Sequence, residues 1–351
     1  MIRLLAVDDS ALVRRLLAEL FGGQGDFAVE FAQNGEEALH KLRSFQPDVV
    51  TLDVQMPRMD GLACLDRIML ERPCPVVMVS SLTQAGAEAT LEALALGAVA
   101  FVPKPEGTLS LAMDEFGPAL VETVRAAATA KLRVSRRLAE RVRLQANPAE
   151  AAHHGATRTE ETRRIVLVGC STGGPPALDA LLTPLPADFP WPILVAQHMP
   201  ASFTGPLAER LDRECALTVS EVRRPVPLVP GNVYVGRGDA DLIVSRRAEG
   251  LVAMAAPALA GHVWRPSVDR LVQSAMRLCP ASQLVGVLMT GMGYDGAAAM
   301  AKLHAEGGAT IAEAEETAVI WGMPRELVEA GGASVVVPVD AIAHQLMRWA
   351  A

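Results

Sequence analysis

The segment Gly169-Cys170-Ser171-Thr172-Gly173-Gly174 sets a serine between glycines in the spacing G-x-S-x-G, directly after the apolar run Ile165–Val168. A tight strand-to-helix turn of this kind can present a serine hydroxyl as a nucleophile, cradle a phosphate, or simply turn the chain. Two other apolar runs end in polar residues. Pro192–Ala196 runs into Gln197-His198-Met199-Pro200, and Leu284–Met289 runs into T-G-M-G-Y-D-G, which contains Asp295. A serine, a histidine and a carboxylate at strand ends of one sheet can form a relay. Ser171 attacks a carbonyl carbon, His198 takes its proton, and Asp295 orients and stabilises the imidazolium. The chain order Ser…His…Asp is not the Ser…Asp/Glu…His order of α/β-hydrolases, so hydrolase chemistry on another doubly wound scaffold is expected. Cys170 is a rival nucleophile, but small buried thiols are common at strand ends. His262, His304 and His344 have no partner in view and read as structural, and Tyr294 reads as a pocket-lining residue.

A second group of polar residues lies nearer the N-terminus. Asp8 and Asp9 follow Ile2–Val7, Asp53 follows Val49–Leu52, and Lys104 follows Ala98–Val102. Three carboxylates brought together repel one another unless a cation is present. An all-oxygen set suits Mg²⁺, which keeps several waters and leaves positions for a phosphoryl group. Lys104 supplies a point charge for the same phosphoryl oxygens.

These residues need strands to carry them. Phe27–Phe31 and Val76–Val79 complete a set of five short apolar runs in the first 105 residues, with the helical stretches Leu12–Phe21, Gly35–Arg43, Gly61–Glu71 and Gly86–Leu96 between them. Such alternation argues a parallel sheet with helices on both faces, and ligands in such sheets bind at the carboxyl ends of the strands. The second half repeats the logic with Asn232–Val235 as a further strand and helical stretches at Ala177–Leu182, Gly205–Asp212, Val268–Arg277 and Gly296–Glu306. The expected fold class is α/β twice over. A flavodoxin-like domain spans residues 1–125, a helix tail and basic linker 126–163, and a doubly wound, mainly parallel domain 164–351.

Charge follows the same division. Of the formal net charge of −8, residues 1–130 carry −8, residues 131–164 carry +5 and residues 165–351 carry −5. The basic segment reads as a solvated linker, with His153 and His154 inside it, since neither flanking domain offers the positive face that nucleic acid needs. Half of the chain is apolar and 21% is charged, which excludes a disordered or fibrous protein. Mean hydropathy is +0.25. The longest uncharged stretch, Phe189 to Ala208, contains Pro190, Pro192, Pro200 and Pro206, so no single spanning helix is expected there. Asp8 and Asp9 fall where a signal peptide has its apolar core, and five cysteines without a CxxC fit reduced thiols. The expectation is a cytoplasmic protein without membrane insertion.

The runs D-D-S, L-D-V-Q-M-P-R-M-D-G, V-S-S and P-K-P resemble the receiver domain of bacterial two-component response regulators over residues 1 to about 125. That resemblance implies Asp53 as the phospho-acceptor, with Asp8, Asp9, Asp53 and the Gln55 carbonyl holding Mg²⁺. It implies Ser80, or its neighbour Ser81, as the hydroxyl that turns toward the phosphoryl group, Lys104 as its cationic partner, and Phe101 as the switch aromatic. With V-G-C-S-T-G-G, A-Q-H-M-P-A-S-F-T-G-P-L-A-E-R-L, R-P-S-V-D-R-L, L-M-T-G-M-G-Y-D-G-A-A-A-M and G-M-P-R-E-L-V-E-A-G-G-A, nearly the whole chain resembles the chemotaxis response-regulator protein-glutamate methylesterases. The wider resemblance implies Ser171, His198 and Asp295 as a triad, Thr172 as an active-site hydroxyl and the Met292 N–H as an oxyanion donor. This chain departs from the family pattern in having Trp264 where a histidine often precedes R-P-S-V-D, with His262 two residues upstream, and Cys170 where alanine is frequent.

The implied activity is hydrolysis of glutamate methyl esters on methyl-accepting chemotaxis receptors, with glutamine deamidation through a similar oxyanion. The implied partners are those receptors and a chemotaxis histidine kinase. Mg²⁺ belongs to the receiver; the ester hydrolysis is expected to need no cofactor. A receiver fused to a non-catalytic nucleotide- or protein-binding domain is the alternative, but the G-C-S-T-G-G loop lacks the Lys-Ser/Thr ending of a Walker motif. A DNA-binding output lacks a helix-turn-helix stretch.

Overall fold

In the computed structural model, residues 1–80, 83–105, 109–132, 164–248, 250–259 and 261–351 are described. Ser81, most of the expected linker, and His153 and His154 lie outside them. The first module is a five-stranded parallel sheet of β1 (Ile2–Val7), β2 (Phe27–Ala32), β3 (Val49–Asp53), β4 (Val76–Ser80) and β5 (Ala100–Pro103), in the order β2-β1-β3-β4-β5. Helices α1 (Ala11–Gly22), α2 (Gly35–Phe45), α3 (Gly61–Glu71), α4 (Gln84–Leu96) and α5 (Leu109–Ala128) connect and cover it. Four of them start on side-chain caps that satisfy an orphan N–H: Ser10, Asn34, Asp60 and Thr83 accept from Val13, Glu37, Ala63 and Gly86.

The second module has a seven-stranded parallel sheet in the order β15-β14-β13-β6-β7-β10-β8. Its strands are β6 (Ile165–Cys170), β7 (Ile193–Gln197), β8 (Thr218–Glu221), β10 (Asn232–Val235), β13 (Leu284–Leu288), β14 (Ala309–Glu313) and β15 (Val335–Val337). A small antiparallel sheet of β9 (Val226–Pro227), β11 (Asp241–Arg247) and β12 (Gly250–Ala256) packs beside it. The helices are α6 (Gly174–Leu182), α7 (Ala201–Glu214), α8 (Val268–Met276), α9 (Ala297–Ala305), α10 (Met323–Glu329) and α11 (Val339–Ala350). Each long one buries a stripe at helical spacing, such as Phe203, Leu207 and Leu211 on α7 or Val268, Leu271, Val272 and Ala275 on α8.

Both sheets reverse their winding at one strand. β1 has β2 on one side and β3 on the other, and β6 lies between β7 and β13. A crevice opens beyond the carboxyl ends at such a switch point. Asp8, Asp9 and Asp53 lie at the first, and Ser171, His198 and Asp295 at the second. The carboxyl end of β3 also needs α3 pressed against it. A Cβ added at Gly61 would stand 2.1 Å from the Asp53 carbonyl oxygen and 2.8 Å from Val54 Cα. Gly61→Ala therefore forces backbone to move beside Asp53. We expect a loss of about 1–3 kcal/mol in the stability of this module by denaturant titration.

Two candidate sites and their geometry

Asp295 is the most heavily bonded group of the catalytic crevice. It is buried, and its carboxylate accepts from Val268 N–H at 2.7 Å, Asp269 N–H at 3.1 Å and Ser267 Oγ at 3.1 Å. Ser267 is the N-cap of α8, so Asp295 neutralises orphan donors and sits at the positive end of that helix. Its remaining contact is His198 Nε2 at 2.8 Å. Burial, the largest influence, pushes the carboxyl up, but His198 and the two backbone donors outweigh it and hold it below its ordinary value. An ionised carboxylate can only accept, so His198 Nε2 carries the proton of that bond and Nδ1 keeps its lone pair. Nδ1 is buried and has no hydrogen-bond partner among the described residues.

Ser171 follows β6 and is half-buried. Its N–H donates to the Thr290 carbonyl at 2.9 Å and its own carbonyl receives Gly174 N–H at 2.8 Å. Gly173 takes a φ of 77°, which a side chain tolerates poorly, and its missing Cβ leaves room for Val319. Gln197 clamps the site through its amide, donating to the Ser171 and His198 carbonyls at 3.0 Å each. Its Oε1 accepts the Cys170 thiol at 3.0 Å. Cys170 is fully buried, and burial pushes its thiol far above the ordinary range, so it is not a ready nucleophile. The turn after β13 lies over the serine: a Cβ on Gly291 would meet Ser171 Cβ at 2.6 Å. Met292 is next in that turn, and its N–H finds no acceptor among the described residues. Thr172 is half-buried beside the serine, with its carbonyl held by Thr290 Oγ1 at 2.9 Å.

His262 departs from the expectation of an isolated histidine. Its Nδ1 lies 3.3 Å from Ser267 Oγ, one bond removed from Asp295. Trp264 stacks near-parallel on His198 at 6.0 Å and meets Tyr294 edge-on at 4.7 Å. Ser267, Gln197, Thr290 and the buried pair Asp241 and Glu313 were not singled out from sequence. Asp241 holds Ser267 N–H at 2.9 Å and Arg270 at 2.7 Å, and Glu313 holds Thr290 N–H at 2.8 Å. A serine heading an amphipathic stretch is a cap signal and Gln197 adjoins the histidine. Nothing local in sequence marks Asp241 or Glu313.

In the first crevice, oxygens of Asp8, Asp9 and Asp53 lie within 4.8 Å of one another. Lys104 Nζ donates to Asp8 at 2.9 Å and Asp53 at 2.7 Å. Burial raises the Asp53 carboxyl, Lys104 opposes the rise and Asp8 adds to it. Lys104 is likewise penalised by burial, but Asp53 and Asp8 outweigh that and keep it firmly charged. Three carboxylates against one ammonium leave an excess of negative charge, and an all-oxygen donor set fits a small hard cation such as Mg²⁺. Gln55 N–H reaches Asp53 at 3.4 Å, and the buried Ser80 hydroxyl donates to the Gly86 carbonyl at 3.2 Å.

The two crevices belong to facing modules. Phe101 on β5 packs its ring on Phe203 of α7 at 4.4 Å, and a cleft of about 440 Å³ lies between Leu94, Phe101 and Thr123 on one side and Ser171, His198 and Trp264 on the other. Lys131, just past α5, donates its N–H to the Val319 carbonyl at 3.3 Å and pairs with Glu315 at 3.0 Å.

A family model described as CheB methylesterase matches residues 166–346, and one described as response regulator receiver domain matches residues 4–113. The chain belongs to the CheB methylesterase family. It is 58% identical over 359 aligned positions, covering 99% of this chain and 98% of the relative, to a protein named protein-glutamate methylesterase/protein-glutamine glutaminase 2 of Rhodopseudomonas palustris. A relative of the same activity name from Symbiobacterium thermophilum is 47% identical over 99% of this chain and 96% of its own. The solved CheB methylesterase catalytic domain of Thermotoga maritima is 38% identical, covers 54% of this chain and 99% of its own, and superposes with a TM-score of 0.52. Among the described residues, no helix is long and apolar enough to cross a membrane.

The burial of Cys170 separates the two candidate nucleophiles of this CheB-family chain. Alkylating reagents at pH 8 should leave the native enzyme active, and Cys170→Ala should keep hydrolytic activity while losing about 0.5–1.5 kcal/mol of stability with its hydrogen bond. Inactivation by stoichiometric alkylation of Cys170 in the native protein would reassign the nucleophile.

Proposed function

We propose that this chain removes methyl groups from γ-glutamyl esters of methyl-accepting chemotaxis receptors, working from the cytoplasm, and deamidates glutamines at the same receptor sites. The observation that carries the reading is the His198–Asp295 pair at 2.8 Å, with Nδ1 left unpartnered in the cleft that Ser171 lines. Ser171 Oγ attacks the ester carbonyl as His198 Nδ1 takes its proton. The tetrahedral oxyanion forms under the turn that carries the Met292 N–H, and Thr172 offers a hydroxyl at the same wall. Collapse expels methanol with the proton from His198, and water resolves the acyl-serine by the reverse route. An amide gives the same oxyanion and loses ammonia instead. Asp295 holds the imidazole in the tautomer that leaves Nδ1 basic and stabilises the cation once formed.

Regulation follows from the other crevice. Asp53 is the phospho-acceptor, Asp8, Asp9, Asp53 and the Gln55 carbonyl would hold Mg²⁺, and a chemotaxis histidine kinase is the phosphodonor. The cation supplies charge neutralisation for the incoming phosphoryl group. Lys104, bonded to Asp8 and Asp53 beforehand, is placed to exchange a carboxylate for a phosphoryl oxygen. Ser80 then has reason to leave the Gly86 carbonyl and turn toward the phosphoryl group. Ser80 pairs with Pro103 and Met78 with Phe101 across β4 and β5, so its movement is one strand from the Phe101–Phe203 contact that seats the receiver over Ser171. Phosphorylation lifts that cover.

Two tests follow. Ser171→Ala, His198→Ala and Asp295→Ala should each reduce methanol release from methylated receptor membranes by on the order of 10³-fold or more, with the double variants no worse than the singles. Near-normal release by Ser171→Ala would remove the nucleophile assignment. A small phosphodonor with Mg²⁺ should raise release by roughly 5–150-fold, and chelation or Asp53→Asn should cancel the rise while basal release persists. The fragment from residue 164 to Ala351 should exceed the unphosphorylated full chain. A fragment no more active than the full chain would end the cover reading and favour recruitment to the receptor.

A further inference from the structure

The docked receiver roofs the catalytic crevice without filling it. The cleft between the modules measures about 440 Å³, and the half-buried Ser171 lines it. The bulkiest receiver side chain there, Phe101, stacks on Phe203 and so flanks the serine without plugging it. A cavity of a few hundred Å³ suits a small molecule. A receptor helix, about 10–12 Å across with its side chains, would have to enter with its flanking chain between the receiver wall of Leu94, Phe101 and Thr123 and the wall of Ser171, His198 and Trp264.

We infer that the receiver acts as a size filter: in the unphosphorylated full chain the Ser171 site stays open to low-mass carboxylic esters while protein substrates are shut out. This rests on the reading of Ser171 as nucleophile and of the receiver as its cover. The walls contributed by Leu94, Phe101, Met199 and Trp264 are apolar, with Arg265, Thr123 and Thr172 as polar lining residues, so the ligands that fit are small carboxylic esters. The reaction is a complete hydrolysis. Ser171 Oγ bonds to the carbonyl carbon as its proton passes to His198, and the carbon–alkoxy bond breaks so that the alcohol leaves with that proton. Water then adds to the acyl-serine, releasing the acid and restoring the hydroxyl. His198 keeps its bond to Asp295 in the docked arrangement, and its Nδ1 has no partner among the described residues, so the histidine is held and open before the receiver moves.

The test uses the full chain, with and without a small phosphodonor and Mg²⁺, and Asp53→Asn as the form that stays docked. Three readouts are compared: turnover of p-nitrophenyl acetate corrected by Ser171→Ala, labelling of Ser171 by an ethyl fluorophosphonate, and labelling by the same warhead tethered to a carrier protein. Methanol release from methylated receptor membranes is followed in parallel. The expected result is that phosphorylation raises carrier-tethered labelling and receptor methanol release by at least about fivefold, while small-ester turnover and small-reagent labelling change by less than about twofold. An equal rise for small and large probes would overturn the filter, because the docked receiver would then close the serine to everything or hold the relay apart. Absence of labelling by either reagent in every form would instead bring down the nucleophile reading. Equal and fast labelling by both reagents without phosphorylation would bring down the cover.

Discussion

One buried carboxylate organises the catalytic half of the molecule. Removing Asp295 from water costs several kcal/mol on its own, and that cost is tolerable only because every lone pair it exposes is met. Helix α8 supplies two backbone N–H groups and its cap hydroxyl, and His198 supplies the fourth donor. The arrangement makes helix placement and histidine tautomer a single constraint. α8 cannot shift without stranding the carboxylate, and the carboxylate cannot lose its charge without loosening both α8 and the imidazole. Asp241 extends the same logic outward, fixing the Ser267 N–H and the Arg270 side chain so that the cap stays over Asp295. Among the described residues, His198 Nδ1 is the one ring or carboxylate atom of this network without a partner, and it is the atom that the proposed proton transfer would use.

The receiver solves a similar problem with the opposite sign. There three carboxylates are drawn together at a switch point, and one ammonium cannot balance them. The resulting excess charge is what makes the pocket receptive to a divalent cation and, with it, to a phosphoryl group. In one crevice the protein satisfies its buried charge completely; in the other it leaves the charge unfinished. The first is a device for holding geometry, the second a device for changing it.

How much of this was legible in the sequence follows from how local each feature is. Ser171, His198, Asp8, Asp53 and Lys104 lie at or within a few residues of the ends of continuous apolar runs, and Asp295 lies in the turn that follows one, so the parallel-strand pattern pointed to them. Strands β6, β7, β10 and β13 were readable for the same reason. The edge strands β8 and β15, the β11–β12 hairpin and β14 were not: polar residues interrupt β8 and β11, Thr310 and Glu313 interrupt the buried β14, and β15 is only three residues long. Gln197, Asp241, Thr290 and Glu313 escaped because most of their hydrogen-bond partners, such as Ser171 for Gln197 and Ser267 for Asp241, are distant in sequence. His262 escaped in part, as its partner Ser267 is five residues away in a loop with no periodicity to place it.

The contact between the modules combines small polar and aromatic contributions with a larger apolar one. The Phe101–Phe203 stack contributes about 0.5–1.5 kcal/mol beyond its burial. The Lys131–Glu315 pair is more than half exposed on both sides, a setting in which ion pairs contribute about 0–1 kcal/mol. An apolar cluster continues from the α3 and α4 side of the receiver into α6 and α7, which favours docking in the absence of any signal. Against it stands the net negative charge of both modules, −8 and −5 over residues 1–130 and 165–351, which opposes close approach at low ionic strength. Under the proposed regulation, a phosphoryl group on Asp53 would add further negative charge to the receiver and draw Lys104 from its carboxylates, and a coupling of about 1–3 kcal/mol would be of the size that allosteric sites typically show.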